Sequence, residues 1–296
     1  MSEEKRLKIA IQKSGRLADI SLQLLEKCGI FLAKSRDQLL CRAENLPLDI
    51  FLVRDDDIPA FLATDVCQLG ILGQNVLLEK QANGNGIFSS LEQLLPIGQG
   101  KCRLSIAVPQ DFTYNSIASL NGRGIATSYK GLLEQYLRIH NIKADIVTME
   151  GAVEVAPRTH LADVICDLVS TGSTLNSNGL VEKDVILESQ AVLVTNQISD
   201  PEIAAVASKI TSRIKAVLRA ENSRYIMLNS PINSLEEIKA VLPGSQSPTV
   251  MPLQGCDDMV AVHAVCEEGV FWDTMEDLKA SGANSILVVP IEKMLD

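Results

Sequence analysis

The sequence predicts an α/β protein in which two lobes of alternating strands and helices surround a cleft and a small βαββαβ domain follows. Three observations support this fold class. Three or four apolar strand segments end in small polar loops that open helices, which is typical of α/β folds with ligands at the carboxyl ends of strands. A return strand at residues 191–195 and an amphipathic stripe over 202–221 lead out of the lobes. Residues 223–296 then follow the element order of a ferredoxin-like sandwich.

Length and composition set the domain organisation. The chain has 296 residues, 46% hydrophobic and 22% charged, which indicates two or three globular domains. We expect the first lobe at 1–95 with a return segment at 190–222, the second lobe at 96–189 and the third domain at 223–296. No segment reaches the roughly 20 apolar residues of a membrane span, and the polar start lacks a signal core, so we expect a cytoplasmic protein without membrane contact.

Charge and cysteine content narrow the class of protein. The net charge of −10 argues against nucleic acid as a partner, although five cations lie within the first sixteen residues. The seven cysteines are scattered through apolar runs and are predicted to be reduced core residues. His263 near Cys256 and Cys266 raises the idea of zinc, but neither a CxxC pair nor a second histidine supports it.

The most informative segment is residues 167–174, with the sequence DLVSTGST. It follows the apolar run 164–166 and precedes a short helical pattern, which predicts a buried strand, a tight loop and a helix. Such a loop aims backbone N–H groups at one point, together with the hydroxyls of Thr171, Ser173 and Thr174. Proteins bind phosphate in this way with few cations. An ordinary turn with a helix cap is the alternative.

Carboxylates accompany this loop. Asp167 is expected at the end of the strand, Glu154 lies thirteen residues upstream, and Asp163 lies between them. Two neighbouring carboxylates suit the two cis hydroxyls of a furanose ring, so the pattern indicates a ribose that carries phosphate. The alternative is that Glu154 and Asp163 lie on a solvated helix face.

A second anion site of the same design is predicted near the amino terminus. The strand at residues 7–11 runs into a polar loop with Lys13, Gly15 and Arg16, and a helix with apolar residues at spacings of three and four follows. A helix cap with cations that face solvent is the alternative.

Two further strands end in candidate site residues. Arg54 and three aspartates, residues 55–57, follow the strand at 48–53. A metal site is one interpretation of the aspartates, but we favour capping of a helix by Asp57, with Arg54 as the functional residue. The next strand ends at Gly73, which predicts a close approach of backbone.

Taken in order, these segments resemble the long form of the ATP phosphoribosyltransferase family over nearly the whole chain. The matching segments are IQKSGRL (11–17), VRDDDIP (53–59), LGILG (69–73), GIATSY (124–129), VEVAPR (153–158), DLVSTGST (167–174) and SILVVPIEKM (285–294). The loop 167–174 is the most specific of them.

The resemblance implies the first reaction of histidine biosynthesis. N1 of the adenine of ATP joins C1 of phosphoribosyl pyrophosphate (PRPP), pyrophosphate leaves, and Mg²⁺ takes part. It also implies two catalytic lobes similar to periplasmic binding proteins and an ACT-like third domain that binds L-histidine as feedback inhibitor. The expected assembly is a homohexamer in equilibrium with dimers.

The resemblance further implies roles for individual residues. The expected PRPP contacts are Glu154, Asp167, Thr171, Gly172, Ser173 and Thr174. Catalytic roles at the nucleotide and the departing pyrophosphate fall to Lys13, Arg16 and Arg54, and the expected ATP contacts are Lys13, Gly15, Arg16 and Gly73. The expected histidine contacts are Ser247, Thr249 and Ser285. The residues that hold Mg²⁺ stay open.

One residue departs from the family pattern. Most members carry Asp where this chain has Gln68, and we expect this change to tune activity rather than abolish it. Two other functions are weighed against the enzyme: a two-lobed binding or sensor protein, and a degenerate regulatory paralogue for which Gln68 is the only support. His140, His160 and His263 lie beside no candidate nucleophile, so a Ser-His-Asp or Cys-His mechanism is not expected.

Overall fold

The computed structural model describes residues 5–33, 39–83, 86–242, 248–267 and 271–294. The chain forms two compact units, Met1–Lys209 and Ile210–Asp296. The first unit contains two mixed sheets and the second contains one antiparallel sheet. The lobe and domain limits given above stay predictions.

The secondary structure alternates between strands and helices through most of the first unit. The strands are β1 (Leu7–Gln12), β2 (Leu40–Arg42), β3 (Leu48–Val53), β4 (Leu69–Gly73), β5 (Glu92–Pro96), β6 (Cys102–Pro109), β7 (Gly124–Thr127), β8 (Asp145–Thr148), β9 (Val164–Val169), β10 (Leu180–Ser189), β11 (Ala191–Thr195), β12 (Ser223–Pro231), β13 (Thr249–Leu253), β14 (Cys256–Glu267) and β15 (Asn284–Pro290). The helices are α1 (Arg16–Lys27), α2 (Ile58–Ala63), α3 (Gln74–Asn83), α4 (Lys130–Ile139), α5 (Ser173–Ser177), α6 (Pro201–Glu221), α7 (Leu235–Val241) and α8 (Phe271–Ala280).

The first sheet has the order β2-β3-β1-β4-β11-β5. β1 is parallel to β3 and β4, whereas β11 returns antiparallel between β4 and β5. The inner strands are apolar on both faces because helices cover the sheet; Leu7, Ile9 and Ile11 of β1 have no exposed surface. The parallel strands therefore end at one common edge.

The second sheet repeats this design with the order β10-β6-β9-β7-β8. β7 lies parallel between β8 and β9, β6 is antiparallel to β9, and the edge strand β10 is antiparallel to β6. Leu104, Ile106 and Val108 of β6 pack into one core cluster, and Ala107 of the same strand packs into another on the opposite face. Strand alternation thus builds a core on each side of this sheet.

The sheet of the second unit has the order β13-β14-β12-β15, antiparallel throughout. With α7 and α8, the elements run βαββαβ, and this strand order is that of a ferredoxin-like sandwich. The prediction from the sequence is confirmed. The two helices cover one face, where Ile226, Ile238, Val262 and Leu278 form the core.

Four strands and one helix were not predicted: β2, β5, β8, β10 and α3. β10 has a mixed polar sequence and two irregularities in its pairing with β6, which blur its alternation. β5 is a largely exposed edge strand. Among the described residues, no helix is both long enough and apolar enough to cross a bilayer. All seven cysteines are free thiols, and four of them are buried.

Candidate active site

The carboxyl ends of β8, β7 and β9 meet at one edge of the second sheet. β7 leads through Ser128 and Tyr129 into α4, and β9 leads through residues 170–172 into α5. After β8, the 3₁₀ helix Val153–Val155 carries Glu154. Segments far apart in sequence thus emerge side by side, as expected for parallel strands.

The loop after β9 turns at Gly172, whose φ of 80° and ψ of 0° lie in the left-handed region. The hydroxyl oxygens of Thr171 and Ser173 are 3.0 Å apart, and both residues are exposed, as is Thr174. The N–H of Ser173, the first of α5, points to the Thr171 hydroxyl oxygen at 3.5 Å, so the loop presents exposed hydroxyls at the start of this helix. These are the donors that a bound phosphate requires.

Asp167 lies inside β9 rather than at its end, because the strand continues to Val169. Its Oδ1 accepts the backbone N–H of Leu168 at 2.7 Å. Burial raises the pKa of this carboxyl, the Leu168 N–H opposes the shift, and the charge of Glu154 raises the pKa further. The 3₁₀ helix that carries Glu154 contacts β9, the strand of Asp167, so both carboxyl-bearing segments belong to the same edge of the sheet.

Asp163 does not belong to this edge. Its Oδ2 accepts the N–H of Gly124 at 2.8 Å, at the amino end of β7, and its Oδ1 lies 3.7 Å from the Arg123 guanidinium. Asp163 is exposed, so its place in the sequence between Glu154 and Asp167 is not a place in the site.

A second helix begins at the same edge, but its N-terminus is occupied by a side chain. The carboxylate of Glu79, on α3, accepts the N–H of Gly131 at 2.8 Å and that of Leu132 at 2.9 Å. Glu79 is buried and also accepts a hydrogen bond from Asn83. Since Glu79 fills the N-terminus of α4, this helix start is not available to a bound anion.

The edge of the first sheet gathers the second predicted group. β1, β3 and β4 end side by side. Lys13 follows β1, Arg54 follows β3, and Gly73 is the last residue of β4. Lys13, Gly15, Arg16 and Arg54 are exposed, whereas Gly73 is buried. The structure thus brings three exposed cations to one strand edge, where they form a positively charged surface.

The surroundings of Gly73 leave no room for a side chain. A Cβ at this position would lie 2.5 Å from Oδ1 of Asn75, which accepts the Ser189 hydroxyl at 2.8 Å. The backbone N–H of Gly73 lowers the pKa of the Asp55 carboxyl, against the effect of burial. A side chain at residue 73 would displace this polar cluster.

The structure does not show the side-chain cap that was predicted for the aspartates 55–57. Asp57 occupies the N-cap position of α2, with proline in the first turn, but its side chain makes no capping hydrogen bond. Asp55 is the unusual residue, because its Oδ1 is shielded from solvent and has no hydrogen-bond partner among the described residues. Burial and the charge of Asp56 raise its pKa to about 6, while the Gly73 N–H opposes the shift. Sequence reasoning missed Asp55.

Tyr129 links the two edges. Its hydroxyl accepts a hydrogen bond from Nδ2 of Asn75 at 2.9 Å. Burial raises the pKa of Tyr129, and the charges of Asp56, Asp167 and Asp55 raise it further. Asn75 follows the end of β4 and Tyr129 follows the end of β7, so this hydrogen bond brings the carboxyl edges of the two sheets together.

The predicted effector residues lie apart within one chain. Ser247 falls outside the described residues. Thr249 begins β13 and pairs with His263, whose Nδ1 is 3.0 Å from the Tyr225 hydroxyl. Ser285 lies on β15, the opposite edge strand, so about 14 Å of sheet separates it from Thr249.

Gln68 lies at the amino end of β4, away from the site. Its Oε1 accepts the N–H of Lys8 at 3.1 Å, and its Nε2 donates to the carbonyl of Asp65 at 3.2 Å. Five strand residues separate it from the carboxyl edge, a distance of roughly 16 Å. The departure from the family pattern therefore affects the strand start and not the cleft.

The match to known families decides the class of protein. The sequence model described as ATP phosphoribosyltransferase (HisG) matches residues 54–216, more than half of the chain. The chain belongs to the ATP phosphoribosyltransferase family. A second model, the HisG C-terminal domain, matches residues 220–293. Members of this family are phosphoribosyltransferases, which are glycosyltransferases, and the chain is an enzyme of this class.

Two relatives support the assignment to ATP phosphoribosyltransferases. A protein of Maricaulis maris (strain MCS10), described as ATP phosphoribosyltransferase, is 48% identical over 291 residues, which cover 98% of this chain and 99% of the relative. The solved ATP phosphoribosyl transferase (HisG:HisZ) complex from Thermotoga maritima contains a chain that is 28% identical, with a TM-score of 0.58. That match covers 71% of this chain and 98% of the other.

Proposed function

We propose that the enzyme condenses ATP with PRPP in the cleft between the two strand edges. N1 of adenine attacks C1 of the ribose and pyrophosphate leaves, which gives N1-(5-phosphoribosyl)-ATP, the first intermediate of L-histidine biosynthesis. The observation that carries this assignment is the hydroxyl loop before α5 beside the paired carboxylates Glu154 and Asp167. The reaction takes place in the cytoplasm.

PRPP binds at the edge of the second sheet. Thr171, Gly172, Ser173 and Thr174 surround its 5-phosphate with hydroxyls and N–H groups, as a helix N-terminus favours an anion. The two carboxylates accept hydrogen bonds from the ribose 2- and 3-hydroxyls. Glu79 supports this choice, because it already occupies the other helix start of the edge.

ATP and the departing pyrophosphate bind at the edge of the first sheet. Lys13, Arg16 and Arg54 supply positive charge, and the exposed Gly15 lets the backbone approach the nucleotide, whereas Gly73 makes room for the Asn75 side chain. Pyrophosphate is a good leaving group once its charge is neutralised, so these cations carry the main catalytic role. Binding both substrates in one cleft adds the advantage of orientation.

Asp55 has a chemical role in this arrangement. Attack by N1 leaves a positive charge shared between N1 and the exocyclic amino group of adenine. Asp55 lies at the same strand edge as Arg54, and its ionised carboxylate stabilises this positive charge electrostatically as it develops. The transition state at C1 is oxocarbenium-like, with inversion.

Mg²⁺ would be held together with substrate phosphates and not in a cage made of protein side chains alone. Across the described residues, no group of three or more His, Cys, Asp or Glu side chains forms a ready cage. Mg²⁺ usually keeps water and binds through one or two carboxylates together with substrate phosphates. Glu154 and Asp167 are the carboxylates that would hold Mg²⁺, which would supply positive charge for the pyrophosphate.

The third domain is the regulatory domain and binds L-histidine. Thr249 and Ser285 lie on opposite edge strands, and an amino acid does not span the roughly 14 Å between them. If both residues contact histidine, they come from different copies of the chain. Effector binding therefore requires the homo-oligomer, a hexamer in equilibrium with dimers.

The assignment is tested with ATP, PRPP and Mg²⁺ by following both the product's ultraviolet absorbance and released pyrophosphate, with and without histidine. Arg16→Ala lowers kcat/KM by at least about tenfold through loss of a charge-assisted contact. Arg138→Ala, an exposed cation on α4, is the control and keeps full activity. PRPP binding without turnover would indicate a binding protein or a regulatory paralogue instead.

A further inference from the structure

Arg103 on β6 lies opposite Val169, the last residue of β9, and connects Glu182 on β10 to the phosphate loop. Its Nε and Nη2 donate to the two carboxylate oxygens of Glu182 on β10. Its Nη1 donates to the backbone carbonyl of Ser170 at 3.2 Å. Ser170 is the first residue after β9, so one guanidinium holds both a neighbouring strand and the start of the loop.

Glu182 is itself held from a second side. The hydroxyl of Ser105, which is fully buried two residues along β6, donates to Oε1 of Glu182 at 2.7 Å. The hydrogen bond from Arg103 lowers the pKa of Glu182, with a smaller lowering from Ser105. The carboxylate stays ionised and orients the planar guanidinium through a two-pronged contact.

The contact with Ser170 sets the direction of one donor of the loop. The carbonyl of Ser170 and the N–H of Thr171 belong to the same planar trans peptide, in which they point in opposite directions. Because Arg103 fixes the carbonyl, the Thr171 N–H points away from the ion pair. A charged donor on the carbonyl also polarises the peptide and makes its N–H a stronger donor.

We propose that Arg103 is a positioning residue that orients the Thr171 N–H toward the 5-phosphate of PRPP. The proposal rests on the proposed function, in which residues 171–174 bind that phosphate. Arg103 does not act as a phosphate ligand, because Glu182 neutralises its charge. Ser105 and Glu182 support it, so the loop's geometry depends on a side chain outside the cleft.

The test compares steady-state constants of the full-length enzyme for both substrates. Arg103→Met keeps the length of the side chain but removes every donor, and the KM for PRPP rises at least about tenfold, as for loss of a charge-assisted hydrogen bond. The KM for ATP stays within about twofold. Ser105→Ala loosens Glu182 and raises the KM for PRPP by a smaller factor in the same direction.

The matched control is the ion pair of the first sheet. Arg6 donates to Asp49 at 2.8 Å and to backbone carbonyls, including that of Leu48 at 2.9 Å, at the amino end of β1. Arg6→Met lowers the melting temperature without a selective effect on PRPP. If Arg103→Met fails to fold, Arg103→Lys serves instead, since one ammonium cannot serve both Glu182 and Ser170 and gives the same PRPP-selective change.

The outcomes distinguish the positioning role of Arg103 from the assignment of residues 171–174 to the 5-phosphate of PRPP. A rise in the KM for PRPP in Thr171→Ala but not in the Arg103 variants overturns the positioning role and keeps the loop assignment. No change in either variant removes the loop assignment itself. Equal changes in the KM values for ATP and PRPP, with a lowered melting temperature, show that Arg103 is only structural.

Discussion

The carboxylate of Glu79 accepts the backbone N–H of Gly131, at 2.8 Å, across the boundary between the two sheets. The same carboxylate accepts the next N–H, that of Leu132, so a side chain of α3 caps α4. Gly131 allows this close packing, because a Cβ there would lie 2.8 Å from Ala82 and from Asn83. Glu79 thereby fixes the start of α4 beside the cleft.

Replacing Glu79 tests this cap. Glu79→Gln keeps the shape but offers one acceptor oxygen to two N–H groups, so we expect a loss of about 1–2 kcal/mol in the free energy of unfolding. Denaturant unfolding measures it. The control is Glu134→Gln, an exposed residue of α4 that pairs with Lys130, for which the change stays below about 0.5 kcal/mol. Equal effects in the two variants contradict the cap.

Gly172 tests the conformation of the phosphate loop. At a φ of 80°, alanine is strained by about 1–2 kcal/mol, and relief of that strain moves the loop. We expect Gly172→Ala to raise the KM for PRPP several-fold. Gly122→Ala is the matched control, because Gly122 has a φ of 70° with open space around it at the other end of β7. Gly122→Ala carries the same strain and leaves the KM for PRPP unchanged. A rise in this KM in both variants contradicts the assignment of the phosphate loop.

Asp55 links stability to pH. Its pKa is raised from 3.8 to about 6, so the folded state binds this proton more tightly than the unfolded chain. The resulting stability is fully present below pH 3.8 and is lost as the pH rises through 6. Two pH units correspond to about 3 kcal/mol as an upper bound.

Asp55→Asn therefore has opposite effects on stability and on activity. At pH 8 the variant melts at a higher temperature than the wild type, because no carboxylate is ionised in the buried position. Its kcat/KM for ATP falls, because the amide cannot stabilise positive charge on adenine. Asp57→Asn, at an exposed position, changes neither quantity. Loss of stability at pH 8 in Asp55→Asn contradicts the raised pKa.

Gln68→Asp restores the residue usual in the family. Since Gln68 contacts the backbone of Lys8 and Asp65 at the amino end of β4, we expect kcat and both KM values to stay within about twofold of wild type. Steady-state kinetics and a melting curve suffice. A large gain in kcat contradicts the position that the structure gives this residue.

Sequence periodicity predicted most elements that build the site. Both strand–loop–helix units were predicted because apolar runs such as residues 7–11 end in loops of small polar residues. The βαββαβ order of the third domain followed from the same patterns. The extent of β9 was missed because Asp167 interrupts its apolar run, although the strand continues to Val169.

Contacts between residues that lie far apart in the chain could not be predicted from the sequence. Glu79 and Gly131 are 52 positions apart, and Arg103 and Glu182 are 79 apart, so neither periodicity nor local motifs pair them. Asp55 was not singled out, because three consecutive aspartates before Ile58 predict a helix start. Its burial depends on the three-dimensional packing around the end of β3, which is not encoded in the local sequence pattern.

The most direct test of the account is the KM for PRPP of wild-type enzyme and Thr171→Ala, measured as formation of phosphoribosyl-ATP at saturating ATP and Mg²⁺. The account predicts turnover by the wild type, and at least about a tenfold higher KM for PRPP in the variant with its melting temperature retained. An unchanged KM in Thr171→Ala, or no product from the wild-type chain, contradicts it.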